Sequence, residues 1–353
     1  MITSCSKGFF LDKVLSHRFK SVKSSLHSVI SLIYFASIAM SSEIVTNGKS
    51  KDENLEELND YEEIRIPVPW GHIAGKWWGS KSVQPIIALH GWQDNSGTFD
   101  KLAPILKSAG YSLLCIDLPG HGLSSHLPQG HKYYLWWDGI HYLRRIVKHF
   151  KWNDVTLMGH SLGGGICFLY AAVYPDEVKK YISIDIASPS VRDIKRSCDV
   201  LGGAVDKFLA YENLTPDQVP CYSYEDMLDI LEDAHKGSIN KESCEILLKR
   251  GMKPAGDKDG YTFTRDPRLK LAALGFLTLD QVLELASRIK CEVMNIRAVP
   301  GYKFDVPDHY DIVLDKIQES AKRLDRHKVP GTHHLHLNDG NSVAGIILDF
   351  LES

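Results

Sequence analysis

The sequence predicts an α/β fold in which helices sandwich a mostly parallel sheet, and three observations predict it. From about residue 61, short and nearly continuous apolar runs alternate with helical stretches, the pattern of a sheet buried on both faces. The alternation stops near residue 187 and resumes at Cys291, leaving a helical, polar insertion between two strands. Finally, Gly159-His160-Ser161-Leu162-Gly163 joins a strand-like run directly to a helix-like one.

In chain order, Glu63-Ile64-Arg65-Ile66-Pro67-Val68 alternates with period two and reads as a half-buried edge strand, with Ile73 to Trp78 as its antiparallel partner. Runs 85–90, 111–117, 155–158 and 181–184 read as buried parallel strands, with helices near 98–108, 132–150 and 162–174, the last closed by Pro175. In the insertion, Leu228, Leu231 and Ala234 form a helical stripe, as do Leu247 and Leu248. Strands at 291–296 and 327–329 and a helix ending at Leu351 complete the chain. The organisation expected is a leader and disordered linker over 1–60, a core over 61–189 and 289–353, and a helical cap over 190–288. An insertion above the carboxyl ends of a parallel sheet lies over the ligand crevice.

Residues 1–42 carry five lysines and arginines against a single Asp12, are rich in serine, and end in an apolar stretch at 29–36 that is short for a bilayer span. They fit a mitochondrial presequence or a signal peptide; Met40, heading Met40-Ser41-Ser42-Glu43, fits equally as the start of translation. The seven cysteines, an odd number without a C-x-x-C pair, read as free thiols of a reducing compartment. A chain with 41 Lys and Arg against 44 Asp and Glu has no bulk attraction for polynucleotides, so none is expected as a partner. With 44% apolar and 24% charged residues the composition is globular.

The chemistry is carried by the Gly159–Gly163 turn. A strand-to-helix turn this tight puts the serine in a strained backbone conformation and brings the residues two positions either side into collision, which glycines at 159 and 163 relieve. The helix that begins at Leu162 aims its unbonded N–H groups at Ser161, favouring negative charge there. A serine hydroxyl needs a base, and His333, His334 and His336 crowd the region after the last strand. A metal site in His-His-x-His is disfavoured because no acidic or cysteine ligand lies nearby in sequence. Upstream, His90, His121 and His160 belong to tight turns and are expected to hydrogen-bond to backbone.

Together with the elbow, the segments Pro69-Trp70-Gly71-His72-Ile73-Ala74, His90-Gly91-Trp92-Gln93-Asp94-Asn95, Asp117-Leu118-Pro119-Gly120-His121-Gly122-Leu123-Ser124-Ser125, Thr262-Phe263-Thr264-Arg265-Asp266 and Gly331-Thr332-His333 resemble the α/β-hydrolase superfamily, and within it the serine hydrolase-like, kraken-type family, over roughly residues 65–351. The resemblance implies an α/β-hydrolase fold: an eight-stranded, mostly parallel sheet flanked by helices, with a helical cap inserted after strand six. It also implies Ser161 as nucleophile, His333 as base, and the backbone amides of Trp92 and Leu162 as the oxyanion hole. The Trp92 indole then only walls the pocket.

The orienting acid departs from the common pattern. Most relatives place an aspartate in the turn after the strand near 297, where this chain reads Arg297-Ala298-Val299-Pro300-Gly301-Tyr302-Lys303-Phe304. Asp185, at the end of the strand after the nucleophile helix, is the preferred acid, similar in position to that of some haloalkane dehalogenases; Asp305 is the alternative, and an ion pair in the cap root is the structural role Asp185 would otherwise fill. Asp117 is expected to tie down the turn at Pro119-Gly120.

These residues imply a serine hydrolase acting on a small or medium ester, thioester or amide through an acyl-enzyme, needing no cofactor and no metal. The alternative is a receptor-like binding protein with vestigial hydrolysis, favoured only by the displaced acid. Tyr133, Tyr134, Trp136, Trp137, Phe208, Tyr222 and Tyr224 are candidates for an apolar pocket or for plain core. Arg265 and Arg268 read either as contacts to a substrate carboxylate or, for Arg265, as an ion pair with Asp266 that fastens the cap. A small-molecule acyl substrate is the expected partner, with no stable membrane span; oligomeric state is not legible. The thiols favour the cytoplasm, the resemblance allows a peroxisomal or vesicular location, and a genuine leader would direct the chain to mitochondria or secretion.

Overall fold

The computed structural model describes residues 61–353 except 134, 216–217, 272–274, 304–305 and 307; the expectations for 1–60, Tyr134 and Asp305 lie outside the described residues. Strands β1 (Tyr61–Val68) and β2 (Gly71–Trp78) form an antiparallel hairpin, followed by β3 (Ile86–Leu89). The helix expected near 98–108 is split: a 3-10 turn at Ser96–Phe99 precedes α1 (Ala103–Ser108), with Pro104 in its first turn where a missing N–H costs nothing. Then come β4 (Leu113–Ile116), α2 (Leu135–Phe150), β5 (Val155–His160), α3 (Leu162–Val173) and β6 (Val178–Ile184).

The insertion follows β6. It contains α4 (Ile194–Glu212), α5 (Tyr224–His235), α6 (Lys241–Gly251), a ribbon of β7 (Met252–Pro254) and β8 (Tyr261–Phe263), and α7 (Leu279–Ala286). The ribbon departs from the all-helical expectation, since three-residue strands are too short to show a period. Of the stripe expected on α5, Leu228 and Leu231 are buried, joined by Met227, while Ala234 faces solvent. The core resumes with β9 (Glu292–Pro300), an unforeseen α8 (Asp308–Gln318), β10 (Arg323–Gly331), the short α9 (Leu335–Asn338) and α10 (Asn341–Glu352).

The eight strands run in the order β1-β2-β4-β3-β5-β6-β9-β10, with β1 and β2 antiparallel to their neighbours and the rest parallel. Alternate residues feed two cores. Ile87, Leu89, Leu114, Leu157 and Tyr181 meet α2, α3, α7 and α8, while Ile86, Ala88, Leu113, Met158 and Ile182 meet α1 and α10. Both faces being covered explains why these strands read as unbroken apolar runs.

The chain steps outward from β3 to β4, then crosses back to place β5 on the other side of β3. The strand order therefore reverses at β3 and β5, and the crevice at their carboxyl ends is where such a fold binds ligands. Trp92 follows β3 and Ser161 follows β5. Two buried ion pairs fasten the insertion beside this crevice. Arg250 at the end of α6 bonds Asp117 (Nη2 to Oδ2, 2.7 Å) and Glu63, and Arg268 bonds Asp266 (2.7 Å) and the carbonyls of Leu127, Pro128 and His131. Asp117 also accepts from the Ser96 and Leu123 amides, tying down the turn as expected, and Arg250 is its unforeseen partner. Arg250 and the amides hold Asp117 ionised below its ordinary range despite the burial that opposes it.

Candidate active site

Ser161 has φ 48° and ψ −116°, a left-handed conformation costly for any residue with a Cβ. The strain is imposed by the packing of strand end and helix start. A Cβ at Gly159 would lie 2.3 Å from the Gly163 carbonyl carbon, and one at Gly163 would lie 2.0 Å from the Leu89 oxygen. Ser161 stands at the N-cap of α3 yet makes no side-chain capping bond, so its hydroxyl is not consumed by its own helix.

One strand over, Asp185 repeats the pattern with φ 51°. The sheet ladder continues past the strand ends here: the Ser161 amide donates to the Ile184 carbonyl, and the Asp185 amide to that of Ile296. These bonds hold the two side chains on adjacent strand ends. Asp185 is 1% exposed, and its Oδ2 lies 2.6 Å from His333 Nδ1. Its remaining capacity is taken by the Ala298 amide (2.9 Å, to Oδ1) and the Tyr302 amide (3.0 Å, to Oδ2). The segment at the end of β9, where the resemblance places an acid, supplies N–H donors to an acid from the neighbouring strand. Gly301, at φ 54°, is required for that: a Cβ there would lie 2.4 Å from the Ala298 oxygen and 2.9 Å from Asp185 Oδ1. No cap arginine or lysine pairs with Asp185 among the described residues.

His333 is placed against the elbow by the residue before the serine. His160 Nε2 donates to the His333 carbonyl (2.9 Å), and the two rings lie 4.6 Å apart. The Tyr302 ring lies 5.1 Å from that of His333. Of the neighbours in His-His-x-His, His334 and His336 are buried and turn away from Asp185.

Neither the Trp92 amide nor the Leu162 amide donates to another group among the described residues, which leaves both available beside Ser161. Trp92 is 40% exposed and its indole donates to the Leu269 carbonyl (2.8 Å), so it ties the insertion to the loop after β3. The turn histidines bond to backbone as expected. His90 Nδ1 faces the Gly91 carbonyl (2.7 Å) while Nε2 accepts from the Leu118 amide (3.0 Å), and His121 does the same between Pro119 and Gln93.

Sequence reasoning missed a second acid–histidine centre. Asp94, buried, has Oδ1 3.3 Å from His235 Nε2 and Oδ2 3.2 Å from His334 Nε2 and 3.7 Å from His160 Nδ1. Burial would raise its carboxyl, but the surrounding rings hold it well below the usual range. Burial pushes His160 down to about 3 and His334 down to about 4, whereas contact with Asp94 outweighs burial and raises His235. The signals in sequence were Asp94 within His90–Asn95, His160 in the elbow and His334 in His-His-x-His; His235 carried none.

Arg265 departs from expectation. Asp266 pairs with Arg268, while Arg265 stacks on Phe263 (4.2 Å) with its Nε buried and unpartnered; burial lowers it to about 10. Of the aromatic candidates, Tyr133 lines a narrow cleft with Leu118, Tyr142, Leu162, Ile166 and Leu269. Trp136 packs on Gly165, Tyr222 packs on Phe263, and Trp137 is surface-exposed.

A family model for the alpha/beta hydrolase fold matches residues 84–199. The chain is similar to a "Probable serine hydrolase" of Drosophila melanogaster, 50% identical over 87% of this chain and 93% of that one. It is also similar to a "Serine hydrolase-like protein" of Danio rerio, 33% identical over 82% of this chain and 88% of that one. Among solved structures, a hypothetical protein of Pseudomonas aeruginosa superposes with TM-score 0.73 at 30% identity, covering 83% of this chain and all of its own. A thioesterase domain from the curacin biosynthetic pathway superposes with TM-score 0.68 at 22% identity, over 84% of this chain and all of its own, a likeness of fold. Relatives this similar over nearly their whole length carry the conclusion that the strained serine and the switch-point crevice suggest: the chain is an α/β-hydrolase of the serine hydrolase-like family, and a hydrolase.

Proposed function

We propose that the chain cleaves a small or medium acyl ester, thioester or amide through an acyl-enzyme on Ser161. The observation that carries the reading is the 2.6 Å contact between His333 Nδ1 and the buried Asp185, beside a serine at a helix N-terminus. Asp185 fixes the tautomer in which Nδ1 bears the proton and Nε2 is free to take one. In the first step Ser161 Oγ bonds to the carbonyl carbon, its proton passes to His333 Nε2, and the carbonyl oxygen takes the negative charge against the Trp92 and Leu162 amides. Collapse breaks the bond to the leaving group, which departs with the proton from Nε2. Water then repeats the sequence and releases the acid. No residue in this scheme calls on a cofactor. The two oxyanion amides are worth about 3 kcal/mol each in a site of this kind.

A narrow cleft beside Leu162, lined by Leu118, Tyr133, Tyr142, Ile166 and Leu269, is mostly apolar and is the candidate acyl site. An open recess touches Tyr302 beside His333 and is the candidate site for the leaving group. Turnover of p-nitrophenyl esters from acetate to laurate tests the reading. Efficiency, as kcat/KM, should peak at short or medium acyl chains and vanish in Ser161→Ala. Turnover no faster than that variant, with retained ligand binding, would favour a receptor.

A further inference from the structure

We propose that Asp94, His160, His235 and His334 form a site for one divalent transition-metal ion of the zinc type, clamping the end of α5 to the two loops that carry Ser161 and His333. Ligand atoms of Asp94, His160 and His334 lie within 4.8 Å of one another, and His235 Nε2 reaches the same carboxylate. One carboxylate and three imidazoles are a donor set suited to such an ion.

The tautomers make the case. A carbonyl oxygen only accepts, so His160 Nε2, 2.9 Å from the His333 carbonyl, must carry the proton, and Nδ1 is left as a bare lone pair. That Nδ1 is buried without a partner and faces Asp94 Oδ2 across 3.7 Å. His235 repeats the arrangement: Nδ1 donates to the Leu231 carbonyl (2.7 Å), so Nε2 presents a lone pair to Asp94 Oδ1 at 3.3 Å. Lone pairs facing a carboxylate across these distances attract only if a cation lies between or a proton is added.

The outer contacts are those of a metal centre. Ligating imidazoles hold their second nitrogen on an oxygen, as His160 does on His333, His235 on Leu231, and His334 on Ser238 Oγ (2.7 Å). Bonds of about 2.0–2.1 Å in a tetrahedron separate ligand atoms by about 3.3 Å; His334 Nε2 and His160 Nδ1 stand 3.2 and 3.7 Å from Asp94 Oδ2, and His235 Nε2 stands 3.3 Å from the other oxygen, Oδ1. Gly91 keeps the approach open, since a Cβ there would lie 2.8 Å from Asp94 Oδ2 and 2.9 Å from His160 Nδ1. A small recess lined by Asp94, Leu231, Phe263 and Arg265 borders the carboxylate. Arg265 acts on Asp94 through space and weakens binding relative to a site without a competing cation.

The four ligands come from positions 94, 160, 235 and 334, so no local spacing announces them. The sequence argument against His-His-x-His, that no acid lies nearby, fails because the acid arrives from the loop after β3.

The test uses the full chain, freed of any histidine tag and of bound metal, titrated with Co2+ and Zn2+. One Co2+ per chain with an intense tetrahedral visible band, displaced by Zn2+, is expected, together with a rise in the thermal midpoint. His235→Gln and His334→Gln should each abolish the band, while the surface His149→Gln keeps it. X-ray absorption on the zinc-loaded wild type, independent of any variant's folding, should show three imidazoles. No stoichiometric binding, a band unchanged in both ligand variants, or a shell with fewer than two imidazoles would overturn the proposal.

Discussion

Two acid–histidine centres lie side by side at the carboxyl end of the sheet, built from neighbouring residues on the same loops. The elbow sends Ser161 to one and His160 to the other; the last loop sends His333 to one and His334 to the other. Yet the first gives one carboxylate to one ring, and His333 keeps 14% of its side chain exposed. The second gives Asp94 to three rings, those of His160 and His334 buried and that of His235 with 12% of its side chain exposed. A base must exchange protons with a substrate, so it needs one fixed nitrogen and one free. The shared carboxylate leaves no such freedom and holds loops together instead.

The comparison breaks if damage to the two centres reads the same way. Asp185→Asn should cut kcat by about four orders of magnitude, because the amide favours the wrong tautomer of His333; stopped-flow or steady-state turnover checks it, and a loss below tenfold would move the acid elsewhere. Next in size, Arg250→Ala removes one side of a buried pair and strands Asp117, which should cost about 3–5 kcal/mol in urea unfolding. Asp94→Asn, by contrast with Asp185→Asn, should register in stability, lowering the unfolding free energy by about 1–3 kcal/mol as the buried cluster loses the carboxylate charge that its rings face.

A further effect is one of pH. Burial lowers His90, and burial with its His90 neighbour takes His121 down to about 3. Both folded values lie below the unfolded value near 6.5. The unfolded chain therefore takes protons first, and the stability these neutral rings contribute is present above about pH 6.5 and lost as pH falls, at about 1.4 kcal/mol per pH unit for each. His235, raised by Asp94, runs the other way: its contribution is present at low pH and lost as pH rises through its folded value. Urea midpoints should fall from neutral pH to about pH 5; a flat profile would show that the turn histidines take up protons alike in the folded and unfolded chain.

What could be read from sequence divides along the same line. The sheet strands were visible because both faces are covered, and Asp185 because an acid ending a central strand can face only the crevice. Helix α8 carries Tyr310, Val313, Leu314 and Ile317 at helical spacing, but acids interleave them and hide the stripe. The ribbon of β7 and β8 was too short to show a period. Ala234 fitted the stripe of α5 by spacing alone, and Arg265 was paired with Asp266 by adjacency, whereas the guanidinium of Arg268 folds back to that carboxylate. The Asp94 centre was invisible since its members meet only in space.

The central claim is that Ser161 is the nucleophile of the first centre. It is tested most directly by reaction with a fluorophosphonate, followed by peptide mapping. Stoichiometric modification of Ser161, lost in Ser161→Ala and strongly slowed in Asp185→Asn, is the predicted result. A folded wild-type protein that stays unlabelled, or a label on another serine, would contradict the account.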